Sequence, residues 1–137
     1  MAFSMIDRVA VEEEGEGPAV VCVHGLGGSS NTWTPLMPAL ARHRVIRVDL
    51  PGSGRSQRVE GALSIEGYVE TLLSACARLG VARAHWLGHS MGTIVVQHIA
   101  VSQPKLVASV ALGDAAGGQA MFEAALPAVV DSGRDGN

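Results

Sequence analysis

Apolar positions along the chain follow two rhythms. Residues 6 to 13, IDRVAVEE, alternate loosely between apolar and polar, the period of a strand with one covered face. Gly15-Glu16-Gly17-Pro18 breaks that segment, and the unbroken apolar run Ala19 to Val23 predicts a buried strand. A loop containing Gly25, Gly27, Gly28, Ser29 and Ser30 leads into a short helix around Trp33 to Ala41, with Pro35 acceptable in a first turn, and then a strand from Arg44 to Asp49. Beyond the loop Pro51 to Gly61, Ser64 is a candidate N-cap, and Ile65, Tyr68, Leu72, Cys76 and Leu79 recur at helical spacing until Gly80 closes the element. Ala84 to Leu87 predicts a short strand, Gly88 to Gly92 a tight turn, and Thr93 to Val101 a helix that stops before Pro104. Leu106 to Leu112 reads as another buried strand. Gly113 to Asn137 holds an apolar patch, Met121 to Val130, broken by Pro127, so a weak helix and a frayed tail are expected there.

Strands that alternate with helical segments predict βαβ units, hence an α/β fold with a mostly parallel sheet and helices on both faces. At 137 residues, with no internal repeat and no low-complexity linker, the chain reads as a single domain. Ten basic and 13 acidic residues give a net charge of −3 with no basic stripe, which argues against nucleic acid as a partner. The charged fraction, 17%, lies below the roughly 25% of ordinary soluble domains. Part of this surface is therefore expected to be covered. Cys22 and Cys76 lack metal-ligand or redox spacing and read as reduced core residues. The first residues lack a charged then apolar leader pattern, and no apolar run reaches membrane-spanning length, so a soluble cytoplasmic protein is expected.

The strongest chemical signal is Gly88-His89-Ser90-Met91-Gly92, a G-x-S-x-G pentapeptide between a predicted strand and a predicted helix. Small residues on both sides let the chain turn sharply, which lifts a serine hydroxyl above the sheet edge in a strained geometry. The N–H of Met91, at the start of the helix, has no intrahelical acceptor and can donate to a developing oxyanion. On the bare pentapeptide, an ordinary tight turn with an N-capping serine competes about equally with this reading.

Two further segments shift the balance. Val21-Cys22-Val23-His24-Gly25-Leu26-Gly27-Gly28 runs a buried strand into a His-Gly loop, and Asp49-Leu50-Pro51-Gly52-Ser53-Gly54-Arg55-Ser56 follows the next strand. Together with Ser90 and Trp33, these segments resemble the α/β-hydrolase superfamily, in the superfamily's order and over residues 19 to about 112. The resemblance implies Ser90 as nucleophile and the N–H groups of Leu26 and Met91 as the oxyanion hole. His24 would be structural or, with Trp33 and His89, a candidate for lining the pocket, and the Asp49 loop would shape the rim. General similarity points to the esterase and enol-lactonase group, typified by 3-oxoadipate enol-lactonase. No metal or organic cofactor is implied.

The same resemblance requires an acid and a histidine downstream of the serine. The only downstream histidine is His98, and eight helical steps place it about 12 Å along the axis from Ser90. It reads as a partly buried helix residue. Asp114 could stand where some family members carry their acid, but no histidine follows it. His43 and His85 read as loop or strand-edge residues. The chain thus resembles the front half of the fold, with the last strand, VASVAL, left as an open edge suited to self-association.

Two rival readings follow. A dinucleotide site could use Gly25-Leu26-Gly27-Gly28 with Asp49, but the third glycine of its pattern falls on Ser30 and the pentapeptide is left unexplained. An inactive remnant of the hydrolase scaffold predicts neither turnover nor covalent labelling. The expected partner is a small ester or lactone, with no nucleic acid and no membrane.

Overall fold

A computed structural model describes residues 2–58 and 61–113. Their centre is a six-stranded sheet in the order β1-β2-β4-β3-β5-β6. The strands are β1 (Ala2–Ile6), β2 (Val9–Glu14), β3 (Ala19–Val23), β4 (Arg44–Val48), β5 (Ala84–His89) and β6 (Val107–Gly113). Strands β3 to β6 run parallel, while β1 and β2 form a hairpin whose second strand pairs antiparallel with β4. The α/β architecture is therefore the expected one, with an antiparallel addition at one edge.

That hairpin corrects the single strand expected over residues 6–13. Asp7 and Arg8 take φ values of +49° and +70°, the two left-handed residues of a type I′ turn, and split the segment. The fold covers Val9 and Val11 of β2 on the sheet face that carries the helices and leaves Ala2, Phe3, Ser4 and Met5 exposed.

The sheet packs on both faces. Helices α1 (Ile65–Leu79) and α2 (Met91–Ser102) cover one, burying Tyr68, Leu72, Cys76, Val95, Val96 and Ile99 against alternate residues of β2, β3 and β4 and Trp86 of β5. Ser64 caps α1 as expected, its hydroxyl accepting from the Gly67 amide at 3.0 Å, and Gly80 ends it at φ +71°. Against the other face lies Ser30–Leu40, which buries Trp33, Leu36 and Leu40 on Val20, Cys22, Val45 and Leu87. This segment is a 3₁₀ helix that begins earlier than the helix expected from Trp33 to Ala41. Pro35 and Pro38 both fall inside it, and each removes an amide that an α-helix would use.

Strand β6 is less enclosed than expected. Ala111 and Gly113 are buried, but Ala108 and Val110 are exposed, because β6 pairs with β5 on one side and is the last strand of the sheet among the described residues. Cys22 and Cys76 are both buried thiols, as expected, and burial pushes the Cys76 thiol up to about 11. Gly113 ends β6, and the rest of the weak helix and tail expected over 113–137, Asp114 included, lies outside the described residues. No helix among the described residues is long and apolar enough to cross a membrane.

Candidate functional site

After β3 the chain crosses to β4 on one side, and after β4 it returns past β3 to β5 on the other. The carboxyl ends of β3 and β5 are thus neighbours at the point where the strand order reverses, the usual place for a site in an open parallel sheet. The His24 loop leaves β3 there, and Ser90 leaves β5.

Ser90 links β5 directly to α2 and has φ +55° and ψ −121°, outside every region favoured by residues with a side chain. Its amide donates to the Gly113 carbonyl at 2.8 Å, while its carbonyl accepts from the Thr93 amide at 3.0 Å and the Thr93 hydroxyl at 2.7 Å. These three bonds hold the strained residue from both sides. The sequence requirement around it is steric. A Cβ on Gly92 would lie 2.2 Å from the Val23 carbonyl oxygen, and one on Gly88 would lie 2.6 Å from the Gly92 oxygen. Only two glycines allow α2 to start this close to the ends of β3 and β5. Ser90 is half-exposed, as is Met91, whose amide opens α2.

The loop after β3 approaches the serine. A Cβ on Gly25 would lie 2.6 Å from Ser90 Cβ and 3.1 Å from Ser90 Oγ. The next residue, Leu26, is 76% exposed. Leu26 also lines a cavity of about 390 Å³ with Pro51, Gly52, Arg58, Leu63 and Tyr68, bounded by the loops after β3 and β4.

His24 does not line this space. It is fully buried, with Nδ1 2.7 Å from the Gly25 carbonyl oxygen and Nε2 accepting from the Leu50 amide at 3.0 Å. The ring therefore carries its proton on Nδ1 and ties the loop after β3 to the loop after β4. Burial pulls its pKa below the ordinary histidine value, against the opposing pull of the Gly25 carbonyl and Asp49. Trp33 is likewise buried in the core, and the half-exposed His89 sets its ring edge-on to it at 6.5 Å.

Asp49 anchors the rim loop. Its buried carboxylate accepts from the Ser30 amide at 2.6 Å, the Arg55 amide at 3.1 Å and the Arg55 guanidinium at 3.3 Å. Burial alone would raise its pKa, but these donors outweigh it and hold the carboxyl below its usual range. Ser56 donates to the Asp49 carbonyl and accepts from the Ala10 amide. Motif reading does not reveal the next layer: Glu12 of β2 pairs with Arg47 and Arg55, each at 2.7 Å, and Arg55 lies over the Phe3 ring at 4.6 Å. The run of acids Glu12 to Glu14 in β2, matched by Arg44 and Arg47 in β4, was the available signal.

His98 departs from expectation, whereas His43 sits in the bend before β4 and His85 near the start of β5, as expected. His98 is exposed on α2, because the buried stripe of that helix runs through Val95, Val96 and Ile99. His43 and His85 are buried together, with rings 6.2 Å apart, away from Ser90 at the opposite end of the strands. The described residues contain no cluster of three or more histidine, cysteine or acidic side chains placed to hold a metal.

A family profile described as the alpha/beta hydrolase fold matches residues 18–131. The chain belongs to the α/β-hydrolase fold family. Among its curated relatives, the dihydrolipoyllysine-residue acetyltransferase component of the acetoin cleaving system from Pseudomonas putida is 41% identical over 110 residues, 75% of this chain and 30% of that protein. The pimeloyl-[acyl-carrier protein] methyl ester esterase of a Shewanella species is 38% identical over 97 residues, 71% of this chain and 34% of the esterase. This α/β-hydrolase chain thus spans about a third of the length of those two relatives. The crystal structure of a hydrolase from Pseudomonas aeruginosa superimposes with a TM-score of 0.75 at 30% identity, over 94% of this chain and 52% of the other.

Proposed function

We propose that the chain is the nucleophile-bearing part of a serine hydrolase of carboxylic esters or lactones. The observation that carries this reading is the backbone of Ser90, since a side-chain-bearing residue at φ +55° and ψ −121° persists only where its surroundings enforce it. Ser90 Oγ attacks the acyl carbon. The carbonyl oxygen becomes an oxyanion and accepts from the Leu26 and Met91 amides. The ester C–O bond then breaks, the alkoxide leaves with the serine proton, and water cleaves the acyl-enzyme to return the acid and Ser90. Similarity to a methyl ester esterase supports this substrate class. Leu63 and Tyr68, in the cavity beside Leu26, offer apolar surface to an acyl chain.

Among the described residues, neither His24 nor His98 is placed to serve Ser90 as general base. His24 has both ring nitrogens in use, and His98 sits exposed along α2. That observation favours a second reading, a scaffold remnant with no turnover of its own. In a serine protease stripped of its triad, the oxyanion hole and binding still give about 10³–10⁴-fold over water.

Mass spectrometry after exposure to a fluorophosphonate probe separates the two. The first reading expects an adduct on Ser90 of the folded chain and none on Ser90→Ala. A folded chain that stays unlabelled overturns it.

A further inference from the structure

At the far end of the sheet from Ser90, where β3 and β5 begin, lies a cavity of about 490 Å³ lined by Pro18, Ala19, Arg83, Ala84, His85 and Ala108. Three features on different elements converge there. The first is charge: Arg83 lines the cavity, and no acidic side chain among the described residues lines it with Arg83. The second is a part-buried polar pair: His85, which lines the cavity, has its Nδ1 2.6 Å from Ser109 Oγ.

The third is a β-bulge. Ala84 registers with Val107 and His85 with Ser109, so Ala108 is the extra residue between two ladder pairs. Ala108 therefore has no register partner on β5 and lines the cavity, at a break that a plain parallel strand would not contain. Ala108 is exposed. The cation and the imidazole–hydroxyl pair give a polar recess whose other lining residues, Pro18, Ala19, Ala84 and Ala108, are apolar.

We propose that this recess binds a small oxyanion, a phosphate or carboxylate group, on Arg83 and the His85–Ser109 pair. An arginine fork matches either group with two parallel hydrogen bonds. The groups facing His85 are His43 from the turn before β4, Arg83 from the turn before β5, and Ser109 of β6. Burial first, then the His43 and Arg83 charges, pull the His85 pKa below the ordinary value. A bound anion opposes the two charge effects and draws a proton onto the ring. The site lies roughly 20 Å from Ser90 along β5, counting six residues of strand, so it is independent of the hydrolase reading.

The test is an amide chemical-shift titration of the whole chain with inorganic phosphate and, separately, acetate, each against sodium chloride at matched ionic strength. Saturable shifts at Ala108 and Ser109 are expected, weakened at least about tenfold in Arg83→Gln, the effect of losing one charged hydrogen-bond donor. Arg83→Lys should keep part of the affinity, and the His85 ring should titrate at higher pH with ligand present. Saturation by phosphate alone assigns the recess to phosphoryl groups, and saturation by acetate alone assigns it to carboxylates. Shifts that follow ionic strength only, or equal affinity in Arg83→Gln, overturn the proposal.

Discussion

Gly25 lies so close to Ser90 that a methyl group on its α-carbon would fall 2.6 Å from the serine Cβ. Two loops from neighbouring strands therefore meet without a side chain between them. Gly25→Ala must push either Ser90 or the His24 loop aside. The expected result is a fluorophosphonate labelling rate at least about tenfold lower, the scale set by one misplaced oxyanion donor. A rate equal to that of the parent chain would remove Gly25 from the site.

Gly92→Ala tests the other side of the turn. Its methyl group would meet the Val23 carbonyl oxygen at 2.2 Å, and that backbone belongs to a central strand with neighbours on both sides. A loss of about 1–3 kcal/mol is expected from overpacking, measured as a lower urea midpoint at unchanged slope.

Asp49 sets an acid limit. Its carboxyl titrates below the ordinary value of 3.8 in the fold, so its contribution to stability is complete above that value and disappears as pH falls through the folded value. In Asp49→Asn the acid limb of a stability-against-pH curve should flatten. Stability near neutrality should drop by about 1–3 kcal/mol as charge-assisted bonds to Ser30 and Arg55 are lost.

His24 acts at higher pH with its own sign. Its pKa is depressed by burial, so below 6.5 the unfolded chain takes up a proton that the folded chain refuses. Stability should fall as pH drops from 6.5 and level off beneath the folded pKa. His85, also depressed, contributes in the same direction. Denaturation midpoints for His24→Gln should show a shallower slope across this window than the parent chain.

Among the described residues the sheet ends at β6, and this edge gives a fifth test. Ala108 and Val110 of β6 are exposed, and unpaired strand edges recruit other chains. Sedimentation should show concentration-dependent association that Val110→Lys reduces. A strictly monomeric parent chain would count against pairing through this edge.

Local signals explain what the sequence makes legible. Ser64 and Gly80 bracket α1 because a hydroxyl acceptor and a left-handed glycine solve the two ends of a helix wherever it packs. The pentapeptide is readable for a similar reason: its glycines answer contacts within a few residues and one neighbouring strand. The hairpin at Asp7–Arg8 is harder, since neither turn residue is a glycine and the left-handed pair is set by the β1–β2 register that places Ile6 opposite Val9. The pairing of His43 with His85 joins residues 42 positions apart in sequence, and no periodicity announces it. The Glu12 bridge to Arg47 and Arg55 is also fixed by strand order, which a linear pattern does not carry.

The dihedral angles of Ser90 bear on why a serine stands there at all. Glycine would adopt φ +55° and ψ −121° without the roughly 1–3 kcal/mol of strain that a Cβ brings, so Ser90→Gly should be the sturdier protein. A residue that weakens its own scaffold endures only when something other than folding selects it. Under the proposed hydrolase reading, durability and chemistry make opposite demands at position 90, and the sequence sides with chemistry.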